Sequence, residues 1–533
     1  MLKVSILNKI FILELIFFGF IITGLLPRET SIFLVLGLVI YIAIASIEDA
    51  TIFFIRSIPL FIAIPITANY DNLNTWRILS IIIFLKWFLG GSIIYYVLRI
   101  KKWIKNYSIK KPSVLLLIML LLAILSIIPA ADKGEAIKRI IYFINLSLIG
   151  IVIYELAGKN AEFIRRLIKN IAIPTIIVTI IGFIQLASTY FIDIYQFMRI
   201  WGEGIQTRQF GVLWSEIAVR LGNTWFAYYG DQLSLRVFSL FPDSHSFPQF
   251  VLLGLPAIFA ISFQKLTTYN LQLTTMIRTR ANMSVLWIPT AFLIAILSGT
   301  RGIWVASAGV LIIIAGIIYW MHRTRENNHY KNIFKYISLY MLVFFMLFVV
   351  AYPIFVSPQF LLSKGNWELF GERIKSIIDF GETSNSQRVE IWKASLESIK
   401  ERPLLGVGIG NFPVVLDQRI FLARAGSSAH NIYLHIAAET GIPALIITVW
   451  FLWLGFKKSY DNFIFEKDSL LITYFGATIL FVPWVLIYSL TDVALFDERT
   501  FLLFVATTAL IWGIKNPDKI GGKNSYDVYS GRQ

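Results

Sequence analysis

Cysteine is absent from all 533 residues, which removes disulfide staples and thiolate metal centres from consideration. Charge is scarce as well: Asp, Glu, Lys and Arg make up 15% of the chain, whereas a soluble domain sits near a quarter. Histidine is rarer still, with five in the sequence. No tetratricopeptide-like or coiled-coil period recurs, and no low-complexity tract interrupts the chain. What is there instead is Ile, Leu and Phe, giving 57% hydrophobic residues and a mean hydropathy of +0.70. These residues come in runs close to the roughly 20 needed to cross a bilayer. The sequence therefore predicts an all-α polytopic integral membrane protein.

The net charge of +16 is no sign of nucleic acid, because the cations gather in short loops as the positive-inside rule requires. The opening MLKVSILNKIFILELIFFGFIITGLL has basic flanks and no small-residue cleavage site, and reads as an uncleaved first span. Hydropathy places spans at approximately 10–26, 31–47, 51–68, 78–98, 113–130, 139–157, 171–191, 247–264, 284–300, 303–321, 336–356, 441–456, 469–489 and 499–514. That is roughly 12–14 helices. Arg56 interrupts the third, and two spans of the first half are candidates for tilted or re-entrant segments.

An even count leaves both termini on one side. Loops on that side carry Lys101, Lys102, Arg165, Arg166, Arg278, Arg280, Arg323 and Lys457, whereas the opposite loops hold little beyond Arg28, Arg77, Lys133 and Lys138. Cytoplasmic termini follow from that asymmetry. The expected organisation is membrane helices over 1–191, an external loop over 192–246, membrane helices over 247–356, a large external loop over 357–440, membrane helices over 441–514 and a disordered cytoplasmic tail over 515–533. Long loops between packed helices are usually functional.

Four external pieces carry chemistry. SGTRGIWVA puts Arg301 in a very short turn, where it either snorkels to headgroups or, half-buried beside Gly302, pairs with an anion. SNSQRVEIWKAS puts Arg388 near the start of a helix with Ile391, Trp392, Leu396 and Ile399 near helical spacing; taken alone, Arg388 reads as a solvated charge. RPLLGVGIGNF spaces Gly406, Gly408 and Gly410 by single residues. It lacks the Lys-Ser/Thr ending of a P-loop, so a tight turn is its better meaning. AHNIYLHIAAETGIP brings His430, beside Ser427, Ser428 and Asn431, to the mouth of a membrane helix. His435 lies five residues on and makes no metal pair with it. Glu439 either orients a partner or pairs with an arginine.

A fifth piece, LRVFSLFPDSHSFPQF, holds Arg236, Asp243 and His245. Asp-x-His resembles a ligand pair, yet no carboxylate or histidine cluster accompanies it, and Pro242-Asp243-Ser244 makes an ordinary turn and cap. No metal and no cofactor are expected. Arginine forks match the oxygens of a diphosphate, and a histidine near neutrality accepts a proton from an attacking hydroxyl. A diphosphate at the outer membrane surface implies a lipid carrier.

TRGIW at 300–304, QRVEIW at 387–392, RPLLGVGIGNF at 402–412 and HNIYLHIAAETG at 430–441, in that order, resemble the O-antigen ligase/polymerase family of bacterial membrane glycosyltransferases. The clear match covers about 236–456; the first half shares only a hydropathy pattern. The resemblance implies a multi-helix fold whose external loop caps the site. It also implies a metal-independent transfer of a glycan from undecaprenyl diphosphate, dependent on Arg301, Arg388 and His430, with Arg236 a weaker carry-over. The acceptor would be a glycolipid, a glycan or a protein. Some polymerases carry an Arg followed ten residues later by Gly, a spacing no external Arg has here, which tilts the reading to a ligase. Fourteen spans exceed the dozen expected of one.

The expectation is then an inverting glycosyltransferase at the external face of the inner membrane. Arg301, Arg388 and Arg236 bind the diphosphate, His430 serves the acceptor hydroxyl, and Asn431 with the Gly406–Gly410 turn shapes the site. Trp201, Trp225 and Tyr229 stack on sugars or form an interfacial belt. The rival from another class is a lipid-linked glycan flippase, for which Arg56 and Lys86 are the strong intramembrane charges.

Overall fold

Oxygen-bearing side chains start most of the helices. The computed structural model describes residues 5–66, 73–90, 108, 111–220, 224–229, 232–269, 283–324, 326–362, 383–417 and 428–514. Ser427, the tail 515–533 and several basic loop residues, among them Lys101, Lys102, Arg278 and Arg280, lie outside the described residues. Helix α1 (Ile6–Thr23) begins where Ser5 accepts the Asn8 amide. Helices α2 (Ser31–Ile44) and α3 (Ile47–Ser57) follow, the latter capped by Ser46. At Pro59 α3 gives way to a 3-10 turn and then to extended chain, because proline has no amide hydrogen to continue a helix. The expected third span, 51–68, is thus a broken one.

Helices α4 (Thr75–Leu89), α5 (Pro112–Leu125), α6 (Lys133–Ala157) and α7 (Ala161–Ser188) complete the first half. The segment expected as an external loop over 192–246 is largely structured. It forms short helical turns over 194–220 and an antiparallel hairpin of β1 (Phe226–Tyr229) and β2 (Gln232–Leu235). The second half comprises α8 (Ser246–Tyr269), α9 (Trp287–Leu297), α10 (Arg301–Arg323) and α11 (Asn328–Phe355). It continues with α12 (Thr383–Glu401), α13 (Ile432–Thr440), α14 (Ile442–Phe465), α15 (Ser469–Tyr488) and α16 (Glu498–Gly513).

Among the described residues, eight helices are long and apolar enough to cross a membrane: α1, α6, α7, α8, α10, α11, α14 and α15. The rest of the fourteen expected spans correspond to shorter helices among the described residues, and positions 91–98 of the fourth lie outside them. At 1.5 Å per residue, α9 and α16 extend only about 16 and 24 Å, short of the ~30 Å hydrocarbon layer. Helix α8 forms the axis, packed on α15, α7, α16 and α9. Apolar on every side, it suits a position enclosed by other helices. Thr175 of α7 stands where a side chain at Gly254 of α8 would go, the close approach that small residues permit between membrane helices. Around this axis α10, α11 and α14 turn Ile312, Met346, Val349 and Ile446 outward, as lipid-facing helices do.

Charges within the bundle are tied to partners. Arg56 bonds Asn170 and Asn8, and Lys86 donates to the carbonyls of Ile42, Ala43 and Ala45 at the end of α2. Arg499, fully buried, donates to the carbonyls of Leu240 (2.9 Å) and Phe61 (3.0 Å) and lies over the Phe210 ring. It thereby pins the loop before α8 to the start of α16.

Candidate functional site

That pinned loop carries Arg236 and His245. The Gln185 side-chain carbonyl accepts the amides of Phe238 and Ser239 (2.9 Å each). Asp243 then caps α8, accepting the His245 and Ser246 amides at 2.8 Å. The cap fixes the His245 ring. Its Nδ1 is 2.9 Å from the Tyr488 hydroxyl and 3.4 Å from Oδ2 of Asp492, and its Nε2 faces Nη2 of Arg236 at 3.4 Å. A guanidinium only donates, so Nε2 is the accepting nitrogen and Nδ1 carries the hydrogen. Burial, helped by Arg236 and opposed by Asp492, pushes His245 down to about 3. His245 is a neutral, oriented imidazole.

His430 arrives from the opposite direction. Asn431 caps α13 by accepting the Tyr433 and Leu434 amides, and the residue before it takes a left-handed backbone (φ 43°). The Ile432 amide donates to the Ser489 carbonyl at 2.8 Å, and the Tyr433 hydroxyl to the Leu486 carbonyl at 2.9 Å. Both bonds dock α13 on the end of α15. His430 Nδ1 thus lies 3.9 Å from Asp492 Oδ2. Burial opposes a charge on Asp492, but His245, His430 and Arg388 outweigh it and hold the carboxyl well below the usual carboxylate range. One ionised carboxylate therefore stands between two imidazoles.

The arginines border this centre. Arg236 also reaches the Ser298 carbonyl (3.4 Å) and the Thr300 hydroxyl (3.5 Å). Arg301 is the next residue, half-buried at the start of α10. A side chain at Gly302 would strike Tyr488 and Thr491, which puts the α10 terminus against the Tyr488–Asp492 segment. Arg388 sits one turn before Trp392 on α12 and acts electrostatically on His245 and Asp492. Trp392 donates its indole N–H to the Ala429 carbonyl at 2.9 Å, fastening α12 beside His430.

Gly406, Gly408 and Gly410 all take left-handed φ (63°, 99° and 75°), conformations in which an L side chain is strained. They form a clamp. The Val407 and Gly408 amides donate to the Ala438 and Glu439 carbonyls (2.8 and 2.9 Å), while the Ile409 amide reaches the Ser126 hydroxyl (3.2 Å). The turn joins the segment after α12 to α13 on one side and to the α5–α6 connection on the other.

A cavity of about 1510 Å³ opens from this centre. Asp243, His245, His430 and Asp492 line its polar end, with the arginines just beyond. From there it runs between α5, α6, α14 and α16 along an apolar wall that includes Leu117, Ile144, Ile151, Phe451 and Phe504. On α6 the lining extends from Glu135 to Glu155, about 30 Å of helix. Asp497 also lines it; burial and the nearby Asp243 and Glu498 push this carboxyl up to about 7.

Several expectations change. Trp225 is fully buried and stacked on Phe238, and Trp201 is enclosed as well, so neither ring can meet a sugar; the Tyr229 side chain lies outside the described residues. Leu396 is 55% exposed, because the inward face of α12 follows Ile391, Trp392, Ser395 and Ile399. His430 lies just before Asn431, the cap of the nine-residue α13, and the membrane helix starts only after Gly441. Asp243 serves the cap that its Pro-Asp-Ser turn predicts. Sequence reasoning missed Asp492, Tyr488 and Arg499. The signal was SLTDVALFDERT, three carboxylates and an arginine between two apolar runs.

Fold and site together define a polytopic membrane protein with a cationic, histidine-bearing centre at the head of a long apolar cavity. Residues 286–449 match the family O-Antigen ligase, a stretch holding Arg301, Arg388, the glycine clamp and His430. The resemblance drawn from the motifs therefore stands for this part of the chain, with Arg236 and the first half outside the match. No curated protein matches the chain.

Proposed function

We propose that this protein is a membrane glycosyltransferase of the O-antigen ligase type, moving a glycan from a polyprenyl diphosphate to an acceptor hydroxyl at the external face. The observation that carries this reading is one continuity: arginines and a His–Asp pair stand at the head of an apolar cavity whose α6 wall runs about 30 Å. That length spans the hydrocarbon of both leaflets. A phospholipid acyl chain fills half of it, whereas a polyprenyl chain such as undecaprenol fills it all.

In this reading the diphosphate rests between the cavity mouth and Arg236, Arg301 and Arg388, whose charges neutralise the leaving group as it departs. His430, oriented by Asp492, takes the proton of the acceptor hydroxyl. That oxygen attacks the anomeric carbon from the face opposite the diphosphate, so the carbon–oxygen bond to phosphate breaks with inversion. His245 keeps Asp492 and Arg236 in place. Both termini lie in the cytoplasm, and α12 with the glycine clamp closes the site from outside the cell. Arg56 and Lys86, the charges a transport reading needs, are committed to Asn170, Asn8 and main-chain carbonyls, which disfavours the flippase.

The test supplies purified protein with polyprenyl-diphosphate glycan, an acceptor and a chelator, and follows released diphosphate lipid and enlarged product. Transfer by wild type and none by a folded His430→Ala variant supports the reading. Lipid flipping without transfer supports the transporter instead. A single added glycan marks a ligase, and a ladder of repeat units marks a polymerase.

A further inference from the structure

The cavity has a second polar centre that the reaction above does not use. His435 lines it from α13, five residues beyond His430. Its side chain is almost enclosed, and Nδ1 is buried without a hydrogen-bond partner. The Nε2 atom is 3.5 Å from Oε1 of Glu439, which also accepts the Phe412 amide at 3.1 Å. The ring is held between Phe412 and Phe496, with centroids 4.9 and 6.2 Å away. Across from it on α6, Glu135 and Arg139 line the same cavity, and Arg139 lies over the Tyr142 ring.

We propose that His435, Glu439 and Arg139 form a sugar-binding subsite that holds the acceptor glycan beside His430. This rests on the transferase reading. The chemistry selects a polyol over an anion. Carboxylates and cations stand together, so acceptors and donors are both on offer, and Glu135 with Glu439 offset Arg139 and the Lys138 that pairs with Glu135 at 3.5 Å. A phosphate finds no net positive field there. Hydroxyls, which both donate and accept, suit such a mixed wall, and the half-buried Phe496 supplies an apolar face for a pyranose ring. An unpartnered imidazole nitrogen is costly when buried, a penalty that a bound hydroxyl removes once the ring adjusts to meet it. His430 and His435 line the same cavity, which brings a sugar held on His435 near His430.

The experiment uses the full chain in lipid nanodiscs, free of sugar detergents. Saturation-transfer NMR with methyl glucoside, methyl galactoside and methyl N-acetylglucosaminide reads binding without turnover. Wild type is expected to give a signal with at least one of them, His430→Ala to keep it, and His435→Phe and Arg139→Gln to lose it. The phenyl ring preserves the stacking on Phe412 and Phe496 and leaves no buried nitrogen unpaired, so His435→Phe should melt at or above the wild-type temperature. Under turnover, His435→Phe should raise the acceptor KM by about 10- to 100-fold, the worth of one or two hydrogen bonds to polar or charged groups, with the donor KM unchanged. Equal binding by wild type and His435→Phe, no signal from any of the three sugars, or a loss confined to kcat or donor KM overturns the subsite. Sugar binding by a wild type that transfers nothing sinks the transferase reading and the acceptor role together, while leaving a sugar site on His435.

Discussion

Oδ2 of Asp492 lies 3.9 Å from Nδ1 of His430. The two residues come from loops more than sixty positions apart in sequence, and the hydrogen bond from Ile432 to Ser489 brings them together. A carboxylate behind an imidazole fixes its orientation and stabilises the imidazolium that forms when it takes a proton. Removing the imidazole with His430→Ala should lower kcat by about 10²–10⁴, the range for a general base. Asp492→Asn keeps the shape but weakens the orientation, and should lower kcat less, with donor KM little changed. Release of diphosphate lipid under single-turnover conditions measures both. A donor KM that rises for Asp492→Asn while kcat holds would assign the carboxylate to binding instead.

His245 gives a pH dependence with a definite sign. Its folded pKa of about 3 lies below the ordinary 6.5, so between those values the unfolded chain binds the extra proton. Stability is full above pH 6.5 and falls as pH drops toward 3. The groups that set this are Arg236, Asp492, Arg388, His430 and the surrounding bundle. Asp497 acts in the opposite sense: its carboxyl is pushed from 3.8 up to about 7, so its contribution is full below 3.8 and is lost as pH rises from there to about 7. Comparing variants separates the two. The melting temperature of wild type should fall relative to His245→Gln between pH 7 and pH 4.5. Asp497→Asn retains a capping side chain and should gain on wild type as pH rises from 4 to 8. Parallel curves for wild type and both variants would show that neither group is linked to folding.

The glycine clamp is a point of backbone strain for any other residue. Alanine at Gly408 must adopt φ 99° and place Cβ against Ala130, at about 1–2 kcal/mol for the left-handed backbone alone plus the displacement. Gly408→Ala should therefore loosen the loop carrying α12 and His430. The expected outcome is faster proteolysis within 383–430 and lower activity, with the global melting temperature shifted by only a few degrees. Unchanged cleavage kinetics would show the clamp to be dispensable.

What the sequence made legible follows the reach of each signal. Apolar runs are local, so α1, α7, α10 and α15 were readable, and so were the positions of Arg301, Arg388 and His430 at segment ends. Proline at 59 and the shortness of α9 and α16 were visible as residues, but whether such a segment spans a membrane depends on its neighbours. Asp492 was missed because an aspartate in a short polar loop looks solvated. Only the docking of α13 on α15 makes it the partner of His430. Trp201 and Trp225 failed in the other direction: external tryptophans suggest sugar or interface, but the hairpin and the loop before α8 fold over them.

The groove itself can be tested without touching the polar centre. Ile144 lines the cavity about midway along α6 and is 43% exposed, so tryptophan there fills the channel while leaving the bundle core intact. A donor with a long polyprenyl tail must run past this point, and one with only two or three isoprene units ends before it. Ile144→Trp should raise the KM for the long-tailed donor by about tenfold or more, since displacing only a few buried methylene groups at ~0.8 kcal/mol each is enough. The short-tailed donor should be turned over as by wild type, and that difference excludes a general folding defect. If both donors suffer equally, the tail does not follow α6, and the cavity's depth has another use.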